Sequence, residues 1–278
     1  MIDFLTAPLA YPFMQRGLIA ALLVGVVCAV VGVYVVLRGM AFLGDALAHT
    51  ILPGIALGYL INGADRGALF WWALGAALIS SFSIGSIVRS GRIREDTAIG
   101  IVFAAMFALG VALISTVRNS AVDLSHFLFG NILGVSEGDI WRIATFGAVV
   151  LAVIFLFYKE LMLITFDPVL AATLRLPVRF LDLLLLSMLA VAIVVAIQTV
   201  GVALTLAILV TPPATAAFFT HRMHTMMIVA AILAVLAGVV GLYSSYYLGI
   251  ASGAAIVLTS TLIFALVWAG SRLHRRSG

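Results

Sequence analysis

One cysteine, one lysine and few charges of either sign bound what this 278-residue chain can be. Only 9% of its residues are charged while 64% are hydrophobic, and the mean hydropathy is +1.27. A soluble domain carries about 25% charged residues, because it needs them as a water-facing coat. The shortage excludes a soluble enzyme, a DNA-binding module and a disordered chain. The lone cysteine, Cys28, lies in an apolar stretch, which excludes an intrachain disulfide and a cysteine-built metal site. It reads as a small buried hydrophobe. A formal charge of +4 would point a soluble protein toward nucleic acid. Here the basic residues are mostly arginines at the ends of apolar runs, with Lys159 the only lysine, a pattern of membrane-orientation anchors rather than a nucleic-acid face. The G-x-x-x-x-G-K-[ST] phosphate loop is absent, so ATP is not bound by that route. H-E-x-x-H and G-x-S-x-G are absent too, and no nucleophile is nominated with its base. With no basic n-region ahead of Arg16, the N-terminus reads as uncleaved.

What the chain has is long apolar runs. About 20 such residues cross ~30 Å of hydrocarbon as a helix. Runs at 18–37, 46–61, 67–88, 97–117, 143–158, 180–197, 200–219, 225–243 and 250–269 make about nine membrane segments. The second is short and the seventh contains Thr211-Pro212-Pro213, so eight full spans plus a half-helix also fits. Residues before Arg16 read as an interfacial lead-in. The expected fold is an all-α polytopic helix bundle, a single domain over 1–278, with small residues such as Gly25, Gly238 and Gly241 marking helix seams. Arg89, Arg92 and Arg94, then Lys159, Arg175 and Arg179, then Arg222 and the Arg272–Arg276 tail fall in alternate loops. The positive-inside rule puts those loops and the C-terminus in the cytoplasm, and nine crossings put the N-terminus outside.

Polar groups within such runs need a reason. Asp45 and His49 are four apart, so on a helix they share one face. A carboxylate and an imidazole so placed suit one divalent Mn, Fe or Zn ion. The same spacing equally suits an ordinary Asp–His hydrogen bond at a helix start. Pro53-Gly54 should kink this helix, and Thr211-Pro212-Pro213 should break another. Gln198 places an amide near the end of the sixth span. Interruptions of this kind are structural in most proteins, yet they also fit a substrate pathway, with Gln198 and Thr211 as candidate lining. His126 is a candidate for the mouth of that pathway. Asp167-Pro168 reads as an N-cap and first helical turn, opening a short amphipathic helix to Leu176 that Pro177 stops. Such a helix either docks a soluble partner or lies on lipid headgroups.

In order along the chain come Phe42-Leu-Gly-Asp-Ala-Leu-Ala-His49 with Leu52-Pro-Gly54, then Asp96-Thr-Ala-Ile-Gly-Ile-Val-Phe103 and Phe129-Gly-Asn-Ile-Leu133. Phe166-Asp-Pro168, Leu176-Pro-Val-Arg-Phe-Leu-Asp182, Val200-Gly-Val202 and Gly241-Leu-Tyr-Ser-Ser-Tyr-Tyr247 follow. This ordered set resembles the membrane permeases of bacterial ABC-type manganese, zinc and iron uptake systems, which are related to the type II importer permeases. The resemblance implies an inner-membrane permease subunit that is not itself an enzyme. Its implied partners are a second permease copy, a cytoplasmic ATPase and an extracytoplasmic metal-binding protein, with lipid around it and no nucleic acid. It implies no permanent cofactor, only a divalent metal in transit on Asp45 and His49. It also implies a coupling loop at 160–180, with Asp167, Pro168, Ala171, Leu174 and Arg175 meeting the ATPase. The rival reading is an ATP-independent metal channel or secondary transporter; a more distant one is an intramembrane enzyme using Asp45 and His49 as acid and base.

Overall fold

The computed structural model describes residues 6–63, 65–89, 91, 93–116 and 132–276, and the regular elements among them are all helical. A run of apolar residues in hydrocarbon has little alternative, because a helix satisfies its backbone groups within itself. In chain order the helices are α1 (Pro12–Leu37), α2 (Ala41–Thr50), α3 (Leu52–Asn62), α4 (Arg66–Val88), α5 (Glu95–Ser115) and α6 (Glu137–Leu156). Then come α7 (Tyr158–Phe166), α8 (Pro168–Thr173), α9 (Val178–Val200), α10 (Val202–Ala216), α11 (Met223–Leu248) and α12 (Ser252–Arg276). Among the described residues eight segments are long and apolar enough to span a membrane, α2 and α3 together forming one of 22 residues. Helix α10, at 15 residues, is too short. The expected segments thus resolve as eight spans and one half-length helix.

Two boundaries differ from expectation for physical reasons. Helix α1 begins at Pro12, so the last four residues of the supposed lead-in, 12–15, belong to the first span; proline tolerates the first helical turn, where its missing N–H would have no partner. Arg16 is therefore inside the helix, where it meets Glu137 at 2.8 Å. The Thr211-Pro212-Pro213 sequence does not break its helix. The interruption falls instead at Gly201, at φ 83°, and the proline pair rides inside α10 with Ala217 N–H still reaching the Pro213 carbonyl at 3.0 Å. Proline 213 offers no N–H to the Leu209 carbonyl four residues back. That oxygen lies against the backbone of Gly32, where any Cβ would collide with it.

The chain forms two compact units. One comprises the described parts of 1–36, 124–151 and 195–278. In it α10, α11 and α12 pack on one another, and α1 approaches α11 closely: a Cβ at Gly25 would sit 3.6 Å from that of Ala234. At one end Tyr11 meets Tyr246 at a centroid distance of 6.1 Å, as interfacial aromatics do. The other unit, 37–123 with 152–194, packs α2 and α3 against α4 and α5, and α8 against α7. Gly54 lets α3 rest on the backbone oxygen of Trp72 in α4, a contact a side chain would prevent. Ser80 of α4 donates to the Ala76 carbonyl at 2.8 Å, and Ser81 to the Leu186 carbonyl of α9 at 3.4 Å, so hydroxyls inside the spans are satisfied on backbone.

Candidate functional site

Helix α2 buries Leu43, Gly44, Ala46, Leu47 and Ala48, leaving Phe42, Asp45 and His49 along one more open stripe. The 3.6-residue period puts those three positions on one face. Between α2 and α3 the ladder is interrupted at Ile51, two residues before Pro53. The cause is local: Pro53 cannot donate to the His49 carbonyl and its ring crowds the preceding turn. The sequence reading of a disturbed helix at Pro53 therefore holds, although the span starts at Ala41 and not at Ala46.

His49 Nε2 lies 3.6 Å from Asp45 Oδ1, with side-chain exposures of 26% and 41%. That gap is too long for a hydrogen bond. It matches two ligands of one ion: metal bonds of ~2.1 Å whose outer atoms are 3.6 Å apart subtend roughly 115–120° at the metal. Among the described residues no group of three or more His, Cys, Asp or Glu side chains is placed to hold a metal. Asp45 and His49 thus stand as a pair, without a third such side chain grouped with them among the described residues.

The imidazole is walled by aromatic rings from α5. Phe103 stands edge-to-face to His49 at 5.9 Å and 66°, and Phe107 at 6.0 Å and 89°. These two are themselves stacked at 5.8 Å, and Phe42 meets Phe103 at 6.3 Å. The sequence reading did not single out either phenylalanine; their spacing of four on a predicted helix was the available signal.

Gln198, in α9, and Thr211, in α10, are both half-buried and belong to the first unit, whereas Asp45 and His49 belong to the second. Thr211 accepts at its carbonyl from the Thr215 hydroxyl at 2.7 Å. His126 lies outside the described residues. In the 160–180 loop, Asp167 caps α8 by accepting from Leu170 N–H at 2.8 Å, and Pro168 opens the helix as expected. The helix ends at Thr173, ahead of the anticipated Leu176, because Arg175 turns left-handed at φ 58°. Val169, Leu170 and Leu174 are exposed, but Ala171 is fully buried. The outward apolar face is therefore made by Val169, Leu170 and Leu174, with Ala171 turned inward.

Helices long and apolar enough to span a membrane, one of them interrupted at Ile51, define a polytopic membrane protein. More narrowly, the chain belongs to the ABC 3 transport family, whose model matches residues 10–271. It is 44% identical to a manganese transport system membrane protein, MntC, of Halalkalibacterium halodurans, over 94% of this chain and 88% of that protein. It is 37% identical to a probable iron transport system membrane protein of Haemophilus influenzae, over 96% of this chain and 93% of the relative. Among solved structures it is similar to PsaBC from Streptococcus pneumoniae, determined with a Fab, at a TM-score of 0.82 and 38% identity, covering 96% of this chain and 95% of that one.

Proposed function

We propose that this chain is the permease subunit of a bacterial inner-membrane ABC importer and passes a divalent transition metal inward, with manganese its foremost cargo. The observation that carries this reading is the 3.6 Å separation of His49 Nε2 and Asp45 Oδ1 within a membrane span. A carboxylate with an imidazole suits Mn²⁺, Fe²⁺ or Zn²⁺, and no thiolate is offered to favour a softer ion. The names of the manganese and iron relatives agree with that range. A transit site must strip part of the ion's hydration and still release it. Two protein ligands per chain suit that task better than a closed tetrahedral site.

Asp45 and His49 remain partly exposed on their own chain, which favours a second copy of the permease covering them and adding its own pair. The chain itself hydrolyses no nucleotide; a separate cytoplasmic ATPase supplies the energy and docks on the Val169, Leu170 and Leu174 face of α8. An extracytoplasmic binding protein delivers the ion. The arginine-bearing loops and the C-terminus face the cytoplasm, and the N-terminus lies outside, the half-length α10 with residues 217–222 serving as the ninth crossing.

The test is uptake of radioactive Mn²⁺ into liposomes holding the permease with its ATPase. Asp45→Ala and His49→Ala should each abolish ATP-driven accumulation while the complex still assembles. Accumulation at the unsubstituted rate in either variant would refute the site, and accumulation without ATP would refute the ATP-driven reading.

A further inference from the structure

A histidine that binds a metal through one ring nitrogen is ordinarily oriented through the other, which donates to a carboxylate, a carbonyl or a water. Among the described residues no hydrogen bond reaches either ring nitrogen of His49; its neighbours are Asp45, across the 3.6 Å gap, and two phenylalanine rings. The imidazole can rotate about two side-chain bonds, and its usefulness depends on Nε2 staying on the Asp45 side. Among the described residues, packing is what the protein itself supplies to hold it there.

Phe103 and Phe107 are placed to do so. They lie one helical turn apart on α5, stacked at 24° to each other, and both meet the imidazole edge-to-face within about the centroid range such pairs favour. Phe42, one turn ahead of the ligands on α2, backs Phe103 at 72°. Packing of α2 on α5 brings the set together.

We propose that Phe103 and Phe107 are positioning residues for metal transfer, setting the orientation and ion affinity of His49 in place of a hydrogen-bonded partner. This rests on the proposed reading of Asp45 and His49 as the transit ligands. The substitutions that separate ring chemistry from volume are Phe→Leu and Phe→Tyr, at each position and together. They are made in the permease–ATPase complex, with Mn²⁺ for uptake and Co²⁺ as an absorbing probe of coordination. In the double leucine variant the Mn²⁺ concentration for half-maximal uptake should rise roughly tenfold, the scale seen when an orienting neighbour of a metal ligand is lost. The Co²⁺ visible band should shift or weaken in the same variant. The double tyrosine variant, which keeps both rings, should restore both readouts toward those of the unsubstituted complex.

Two results would overturn the proposal. One is a double leucine variant with an unaltered Co²⁺ band and unaltered Mn²⁺ dependence, in a series where His49→Ala abolishes uptake. The other is tyrosine variants as impaired as the leucine ones, which would make the two positions mere packing. If His49→Ala itself transports normally, the underlying site reading fails first and takes this proposal with it.

Discussion

The Arg38 guanidinium donates to the Asp182 carboxylate at 2.8 Å, and the same Nη2 reaches the Ile164 carbonyl at 3.4 Å. Arg38 sits in the short link between α1 and α2, immediately ahead of the helix bearing Asp45 and His49. Asp182 is the fifth residue of α9, and Ile164 lies in α7, the helix that leads into α8. One side chain thus joins the lead-in of α2 to the helices on either side of α8. Its 14% exposure means that it has given up most of its water for these partners.

Removal of either charge should be costly and removal of both less than additive. Arg38→Ala and Asp182→Ala are each expected to destabilise the permease by about 2 kcal/mol, the scale of a charge-assisted hydrogen bond. Asp182 is 36% exposed, which keeps the figure below that of a fully buried pair. Thermal unfolding of the two single variants and the double in detergent gives the coupling directly. Strict additivity would mean that the two groups do not act together.

The short helix α8 makes a second prediction by position. Leu174→Asp and Val169→Asp place charge on exposed apolar positions and should reduce ATPase retention on purified permease about tenfold, a loss of some 1.4 kcal/mol. Ala171→Asp buries its charge and should lower the yield of folded permease instead. Asp167→Ala removes the cap from Leu170 N–H and should cost about 1 kcal/mol of local helix stability. Co-purification and unfolding curves separate docking from folding.

A third concerns the seam between α1 and α10. Gly32→Val would force a branched side chain into the Leu209 carbonyl, at a cost of about 1–3 kcal/mol read as a lowered melting temperature. Gly75→Ala is the control: nothing lies within 4 Å of a Cβ there, and the change should be neutral or stabilising by about 0.5–1 kcal/mol.

Ligand chemistry supplies the fourth. Asp45→Cys exchanges a hard oxygen for a thiolate, which soft or borderline ions prefer. Uptake should turn from Mn²⁺ toward Zn²⁺ or Cd²⁺, measured by competition in the liposome assay. Unchanged preference would place selection outside this pair.

The membrane spans were legible because hydrophobic length is a local property, and so was the Asp45–His49 pair, since four residues on one helix fix their own neighbourhood. Asp167 as a cap was legible for the same reason. Phe103 and Phe107 were not, because α5 finds α2 only through tertiary packing. Arg38 directly follows the apolar run 18–37, and nothing near it in sequence announces Asp182. The proline pair of α10 misled because a missing donor was taken to require a broken helix; the helix runs on through Pro212 and Pro213, with the Leu209 carbonyl lying against the Gly32 backbone. Arg175 in a left-handed turn shortened α8 where a non-glycine residue gave no warning.

The turn residue Ile51 divides the second span into rods of 10 and 11 residues, each about 15 Å long and so close to one leaflet deep. An unbroken rod would carry any tilt applied at its Arg38 end through both leaflets. Jointed at Ile51, the piece bearing Asp45 and His49 is a separate rod from the other half, which Gly54 seats on the backbone of Trp72.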